Sequence, residues 1–561
     1  MKRLGLVLLC TLSVAAIHAQ STFLNRNMDD QFLIDRIDIL SGDVSDDFHT
    51  ANGPLSRKDA VNRLQDYLDE KIENDFEIST AEADAISVIL QKNSEWTDDE
   101  KGESEYTLWD VFYKKRAEFL SYQDDKYFVA INPIFNYQQM LEGGNGSQFL
   151  FQNRKGIDVR ARIGERVAFY SSVTDNQERG PQYYQNYIRD RKSIPAGGTY
   201  YKSFKNSKPG SAQDYILASG YVDVEAVKDA INLSFGYDRI HLGDGYRSLF
   251  LSDWGSNYTY FGINTKLWKF NLQNLYMELT PQFQRGADRL LPKKYAVAHH
   301  LSFNAAKWLN IGFFEAVTFS RPNHFEFQYL NPVIFYRAIE QTVGSPDNAL
   351  LGLNFKLNPG VGAVIYGQLI LDEFNFGRIT SGDKWWANKY GLQAGIKMAD
   401  LGGVENLLVQ LEGNLVRPFT YSYDDSIADY THYNQALAHP LGANFSELIL
   451  NVHYKPIENL FLNLTTIYYK QGIDLTDSIA YGGDIFKSNA LRNDNFGIEM
   501  YNGLSQNVLF ANLNAAYEIK PNVFFDLGGG YRSQNNALLR GSAPFFYGGF
   551  RWNTSRRQYN F

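Results

Sequence analysis

The sequence predicts an all-β membrane protein: a transmembrane antiparallel β-barrel of about 18 strands, with a small N-terminal helical periplasmic region. Three observations carry this expectation. The mean hydropathy is −0.36 and 21% of residues are charged, so past the N-terminus no apolar run is long enough for a membrane helix. Aromatic residues nevertheless make up 15% of the chain, with 37 Tyr, 39 Phe and 8 Trp, the residues that suit a bilayer and its two water interfaces. From Lys126 onward, apolar and polar residues alternate with period two. A barrel reconciles low average hydropathy with membrane residence, because apolar side chains face lipid and polar ones face the lumen.

The first segment sets the compartment. In MKRLGLVLLCTLSVAAIHAQ, two basic residues precede an apolar run from Leu4 to Ile17, and Ala19 stands before Gln20. This is the order of a secretory signal, so residues 1–19 are read as a signal peptide and the destination as the outer membrane of a Gram-negative cell. Cys10 is the chain's one cysteine and lies inside that run, which leaves the mature protein without disulfides, thiol catalysis or a cysteine metal site. The net charge of −9 argues against nucleic acid as a partner, since phosphate binding wants basic patches.

Residues 20–124 form an acidic, partly helical region. Val61, Leu64, Tyr67, Leu68 and Ile72 recur at three and four between Ser56 and Ile72. Ser79 and Glu82 have capping-box spacing ahead of Ala85, Ile86, Ile89 and Leu90. Such a region fits a plug or cap of the barrel, a docking face for a periplasmic partner, or a solvated extension.

Residues 125–561 are assigned to the barrel. YFVAINPIFNYQ opens a series of eighteen alternating segments; the second falls near 156–164, the penultimate near 522–531 and the last near 543–552. In SELILNVHY, Leu448, Leu450, Val452 and Tyr454 are expected to face lipid, with Glu447, Asn451 and His453 inward. Phe525, Leu527 and Tyr531 oppose Asp526 in the same way, and Leu351, Leu353 and Phe355 oppose Asn354 and Lys356. Asn358–Pro359–Gly360 and the run from Lys455 to Ile457 make tight turns. The long polar connections 175–213, 319–347, 372–387, 417–445 and 471–504 belong outside the cell or folded into the mouth. Tyr559 and Phe561 resemble the terminal aromatic signal read by barrel-insertion machinery, although Arg556 and Arg557 depart from it and place the end of the last strand near Trp552.

Six blocks in order, GDGYRSLFLSD at 243–253, NPVIFYRAIEQTVGSPDNALLG at 331–352, YGQLILDEF at 366–374, WWANKYGLQAG at 385–395, VRPFTYSY at 416–423 and YTHYNQALAHPLGAN at 430–444, resemble the Wzi-type capsule-assembly family. More closely they resemble the RemB-type motility proteins of gliding bacteria. The resemblance covers residues 125–552. It implies an eighteen-stranded outer-membrane barrel with a helical periplasmic part, associated with exported surface polysaccharide and, in the gliding branch, with gliding machinery.

No arrangement of nucleophile and base stands out. Ser248 lies seven residues after His241, and Ser252 beside Asp253, without a nucleophile elbow or a triad order; His432 and His439 near Asp429 lack the spacing of a metal site. The expectation is a noncatalytic protein with no cofactor and no metal. Glycan binding suits the residues better, because sugars offer hydroxyls to amides, carboxylates and guanidinium groups, and ring faces to aromatics. Candidate faces are Trp254, Trp385, Trp386 and Tyr433, and candidate hydrogen-bonding groups are Asp244, Arg247, Asp253, Asp347, Asn348, Asn388, Arg417, Gln435 and His439. The same residue types also fill barrel lumens by pairing across them, and Arg337 with Glu340 reads as such a structural pair. The expected partners are surface polysaccharide and outer-membrane lipid; a diffusion porin is the competing function, and an outer-membrane hydrolase stands behind both.

Overall fold

Strict alternation over long segments makes the wall. In the computed structural model, which describes residues 21–97, 111–144, 148–164, 166–203, 212–282, 290–321 and 324–561, eighteen antiparallel strands close into one barrel. The expected signal peptide lies outside the described residues. The first nine strands are β1 (Tyr127–Glu142), β2 (Leu150–Ile163), β3 (Val167–Arg179), β4 (Gln213–Val227), β5 (Ile231–Asp238), β6 (Tyr258–Leu267), β7 (Phe270–Leu279), β8 (Lys294–Ala306) and β9 (Leu309–Phe319). The rest are β10 (Asn348–Leu357), β11 (Ala363–Leu371), β12 (Tyr390–Ala399), β13 (Leu407–Val416), β14 (Phe445–Ile457), β15 (Leu460–Ile473), β16 (Leu504–Lys520), β17 (Val523–Asn536) and β18 (Arg540–Trp552). Each pairs with its neighbour, and β18 closes on β1 from Phe135 opposite Trp552 to Glu142 opposite Phe545. Below that seam, the short strand Leu120–Gln123 pairs with the part of β1 that β18 does not reach.

The expected faces hold. Glu447, Asn451, Asp526, Asn354 and Lys356 are buried inward, while Leu448, Phe525, Leu527, Leu353 and Phe355 are exposed outward. Strand ends run further than the alternation suggested: β2 starts at Leu150 rather than 156, and β17 continues to Asn536 rather than 531. The physical reason is that ladder pairing continues beyond the apolar band, where outward residues such as Asn153 and Lys155 no longer need to be apolar.

Three helices sit in the barrel at the end where the turns are short: α1 (Gln31–Leu40), α2 (Arg57–Glu73) and α3 (Thr80–Lys92). Ser56 caps α2 by accepting from the Asp59 amide (3.2 Å), and Ser79 caps α3 by accepting from the Glu82 amide (3.1 Å), as their spacing predicts. The sequence reading missed α1. Its run QFLIDRIDIL has little polar face, because it lies between the other two helices and the wall: Phe32, Leu33 and Ile37 join one core with Leu64, Ile86 and Ile89 and with inward Val364, Leu408, Phe461 and Phe524.

Charge fixes how this plug sits. Asp35 pairs with Lys397 (2.8 Å), Arg36 with Asp400 (2.6 Å) and Asp38 with Lys356 (2.5 Å). Asp29 meets Arg551 (2.5 Å) and Arg556, and Arg551 also binds Asp526 on β17. Burial pushes the Asp29 carboxyl up, but the two guanidinium groups outweigh burial and hold it at about 2, against an ordinary 3.8. A depressed carboxyl adds stability that is present above pH about 4 and lost as pH falls toward 2.

Two outcomes are expected. Asp29→Asn should weaken plug docking by about 3 kcal/mol, read as faster protease cleavage within residues 57–92 with unchanged heat-modifiable migration of the barrel; the wild-type plug should show the same susceptibility as pH drops from 4 toward 2. Leu513 is 56% exposed on the outward face of β16. Leu513→Arg should cost about 2–4 kcal/mol in urea titrations of folding into lipid vesicles.

Candidate functional site in the lumen and at the loop face

The connection between β5 and β6, residues 239–257, crosses the lumen. Its RIHLGDGYRSLFLSDW run carries apolar residues where a surface loop would be polar, and Ile240, Leu242, Leu249, Phe250 and Leu251 are fully buried. The wall that receives them is apolar on its inner face, through Leu275, Met277, Phe314, Leu350 and Ile370, so the upper barrel has a core. Polar groups then lock the loop to the far wall. The Leu249 amide donates to Gln368 (2.8 Å), whose amide nitrogen donates to the Leu242 carbonyl (3.0 Å). The Tyr246 and Arg247 amides donate to Glu412 (2.7 and 3.1 Å). Gly243, at φ +115°, has no room for a side chain, because a Cβ there would lie 2.1 Å from the Gln368 amide nitrogen.

Residues 553–561 also turn back into the lumen. Arg557 pairs with Glu178 (3.3 Å), the Asn560 carbonyl accepts from Arg247 (2.5 Å), and the Phe561 ring lies 4.6 Å from Trp254. β18 ends at Trp552 as expected. In the tail that follows, Tyr559 packs against Tyr184 and Phe561 against Trp254, inside the barrel.

A cavity of about 290 Å³ lies between the plug, the crossing loop and this returning segment. It collects four predicted residues, Asp244, Arg247, Asp253 and Trp254, beside Arg26, Arg154, Arg239, Lys397, Arg556 and Arg557. An adjoining cavity of about 260 Å³ shares Arg26, Arg239 and Asp253. Asp253 accepts from Asn27 (3.1 Å) and faces His241 Nδ1 (3.3 Å); Asp244 accepts from Thr50. Sequence reasoning passed over Arg26 and Arg239, which stand in no alternating strand or motif. Arg556 and Arg557 carried a signal, two cations just past the last lipid-facing residue.

Most other predicted residues hold the loops together. Residues 417–444 enter the lumen as a small hairpin, Thr431–His432 against Gln435–Ala436, turning at Tyr433 and Asn434 with φ of +47° and +59°. Gln435 is its latch: the amide nitrogen donates to Ser193 and Ser256 (both 2.7 Å) and the Ile194 carbonyl (3.1 Å), and the carbonyl accepts from the Ala196 amide (3.0 Å). His432 bridges the Thr280 amide and the Asn257 carbonyl, with burial driving its pKa down to about 3 and keeping the ring neutral. His439 binds Glu447 (2.7 Å), so the two histidines serve separate structural bonds. Asp347 holds Arg321 (2.7 Å) and the Tyr329 hydroxyl (2.8 Å), Asn348 donates to the Ala428 carbonyl, and Asn388 accepts from the Asn375 amide. The Ser248 hydroxyl donates to the Leu242 carbonyl and that of Ser252 to the Ala438 carbonyl, each at 2.5 Å, so both are bonded to backbone rather than to a base.

Trp385, Trp386 and Arg417 remain at the loop face. There residues 372–389 and 474–503 lie zipped together: the Trp386 amide donates to Asn495, the Gly497 amide to Asp383 and the Ile498 amide to Lys384 (each 3.0 Å). Arg417 crosses to the Ile498 carbonyl (3.1 Å). The two tryptophans are half-buried and meet edge-on at 6.4 Å. Arg492, which sequence reasoning did not single out, lies 3.7 Å over Trp386.

The connection 319–347, expected outside the cell or folded into the mouth, instead lays its residues 324–347 over the outer face of the wall, where Tyr329, Tyr336 and Ile339 cover outward Tyr276, Val297, Val317 and Phe319. The reason is composition: FQYLNPVIFY offers apolar residues to an apolar wall. Arg337 and Glu340 pair as expected (2.7 Å).

A closed eighteen-stranded antiparallel barrel with an apolar outer wall and helices in one end is the fold of outer-membrane barrels. Among solved structures it is similar to Wzi of Escherichia coli, described as an outer-membrane protein involved in group 1 capsule assembly and a carbohydrate-binding β-barrel. The TM-score is 0.56 at 14% identity, covering 96% of this chain and 100% of that one. Acinetobacter baumannii OccAB2 (TM-score 0.40, 9% identity, 76% of this chain and 98% of that one) and Pseudomonas aeruginosa OprD (0.40, 11%, 79% and 98%) are more distant. No known family profile and no curated protein sequence matches this chain.

Gln435→Leu should release the hairpin, since it strands several buried groups without partners. The expected result is larger and noisier single-channel current in planar bilayers than wild type shows.

Proposed function

We propose that this protein is a noncatalytic outer-membrane barrel that binds exported surface polysaccharide on its loop face, serving capsule assembly or gliding motility. The observation that carries the reading is the half-exposed Trp385–Trp386 pair on interlocked loops, with Arg492 and Arg417 beside it. Aromatic faces next to guanidinium groups supply ring stacking and paired hydrogen bonds in one place. The cavity of about 290 Å³ is at the lower bound of small-ligand pockets, so a polymer would meet the rim rather than enter. The carbohydrate binding described for Wzi supports the same reading. The gliding branch rests on the six sequence blocks, and neighbouring genes for polysaccharide export or for gliding would separate the two roles.

Trp385→Ala should weaken binding of the purified native glycan about tenfold, with an unchanged melting temperature. Deleting the gene should reduce surface-glycan retention or cell spreading. Unchanged retention together with unchanged spreading would sink the proposal, and a steady ohmic current through the wild-type protein in planar bilayers would favour the diffusion porin.

A further inference from the structure

The chamber between the plug, the crossing loop and the returning segment 553–561 holds cations that no carboxylate of the protein pairs with. Seven arginine and lysine side chains line it. Four of them are paired: Arg247 with Glu447, Lys397 with Asp35, Arg556 with Asp29 and Arg557 with Glu178. Arg26, Arg154 and Arg239 have no carboxylate within ion-pair distance among the described residues. The carboxylates that line the same chamber are already engaged, Asp29 by Arg551 and Arg556, Asp35 by Lys397, Asp244 by Thr50 and Asp253 by Asn27.

Each of the three unpaired guanidinium groups keeps a donor open. Arg26 Nη2 donates to the Gly245 carbonyl (2.9 Å) and Arg239 Nη1 to the Asp253 carbonyl (3.0 Å), both neutral backbone acceptors. Arg154 donates from Nε to Asn176 and from Nη1 to Thr554, both at 2.8 Å. All three residues are half-buried; Arg26 Nη1, Arg154 Nη2 and Arg239 Nη2 are bonded to none of the described residues and are not sealed from solvent. Arg26 and Arg239 also line the adjoining cavity of about 260 Å³, so both stand where the two spaces meet. Asn25 and Gln558 are exposed although they lie inside the wall, which gives these spaces room for solvent.

Cations enclosed by low-dielectric walls focus a positive potential into the space between them. A guanidinium fork matches a carboxylate with two parallel hydrogen bonds. The remaining lining selects a hydroxylated acid over an apolar one, since Asn27, Asp253 and Gln558 offer donors and acceptors and Trp254 lies beside them. We infer that this chamber binds a small sugar acid, with its carboxylate on Arg26 and Arg239, Arg154 on the wall of the same space, and its hydroxyls on Asn27, Asp253 and Gln558. A volume of about 290 Å³ takes one monosaccharide and no polymer, so this site is separate from the rim that the glycan reading uses.

The test uses the purified full-length protein in detergent and two probes that differ at one carbon, D-glucuronate and D-glucose, measured by equilibrium dialysis at neutral pH. Glucuronate should bind saturably, one per chain, and about tenfold or more tighter than glucose, the worth of one charge-assisted hydrogen bond. Arg26→Gln and Arg239→Gln, which remove the charge and keep an amide donor, should each weaken glucuronate about tenfold and leave glucose unchanged. Should both variants fail to fold, Leu217→Trp, which adds bulk to the chamber from an inward wall position and touches none of the three cations' partners, should abolish glucuronate binding. Equal affinity for the two probes in the wild type, no saturable binding of glucuronate, unchanged glucuronate affinity in the folded arginine variants, or full binding to Leu217→Trp would overturn the inference.

Discussion

Eighteen tilted strands enclose a lumen wider than the wall's own side chains can fill, and barrels of this size otherwise hold a water channel. Nearly everything inside this wall answers that constraint. Three helices occupy the short-turn end, residues 239–257 cross the middle with segment 553–561 beside them, and the hairpin at 431–436 enters from the loop end. Each layer is tied to the next: the Gly243 amide donates to the Ala51 carbonyl of the plug region (2.9 Å), and the Ser252 amide to the Leu437 carbonyl of the hairpin (2.8 Å).

Charge does the positioning. Carboxylates of the plug, Asp29, Asp35 and Asp38, face Arg551, Lys397 and Lys356 of the wall. Buried ion pairs of this kind contribute little net stability over apolar packing, because desolvation offsets the attraction. Breaking one is costly, which makes them a device for register rather than for strength. The apolar helix faces provide the burial against inward Val364, Leu408, Phe461 and Phe524, and the ion pairs select one orientation of the plug against the wall.

The exterior shows the converse. A wall strand that carries His299 and Glu315 outward would be penalised in lipid. Here the draped segment shields both, with Tyr336 stacked on the imidazole and its amide bonded to the carboxylate. The outward polar cluster and the aromatic segment over it are one feature divided between distant parts of the chain.

The eighteen wall strands, the caps at Ser56 and Ser79 and the facing of residues such as Leu353 and Asn354 were legible in the sequence, since period two and capping spacing are local and the solvent on each side of the wall selects the residue type directly. The course of the long connections was not. Residues 239–257 and 324–347 are similarly rich in apolar residues, yet one packs inside the barrel and the other outside. Local pattern records that a segment must be buried but not against which surface. The same limit applies to the candidate site. Trp385 and Trp386 reach the loop face, whereas Gln435, Asn388 and Asp347 spend their hydrogen bonds on holding loops. Whether a polar side chain binds a ligand or a neighbouring loop depends on what the folded chain brings within about 3 Å of it, and the tertiary structure alone sets that distance.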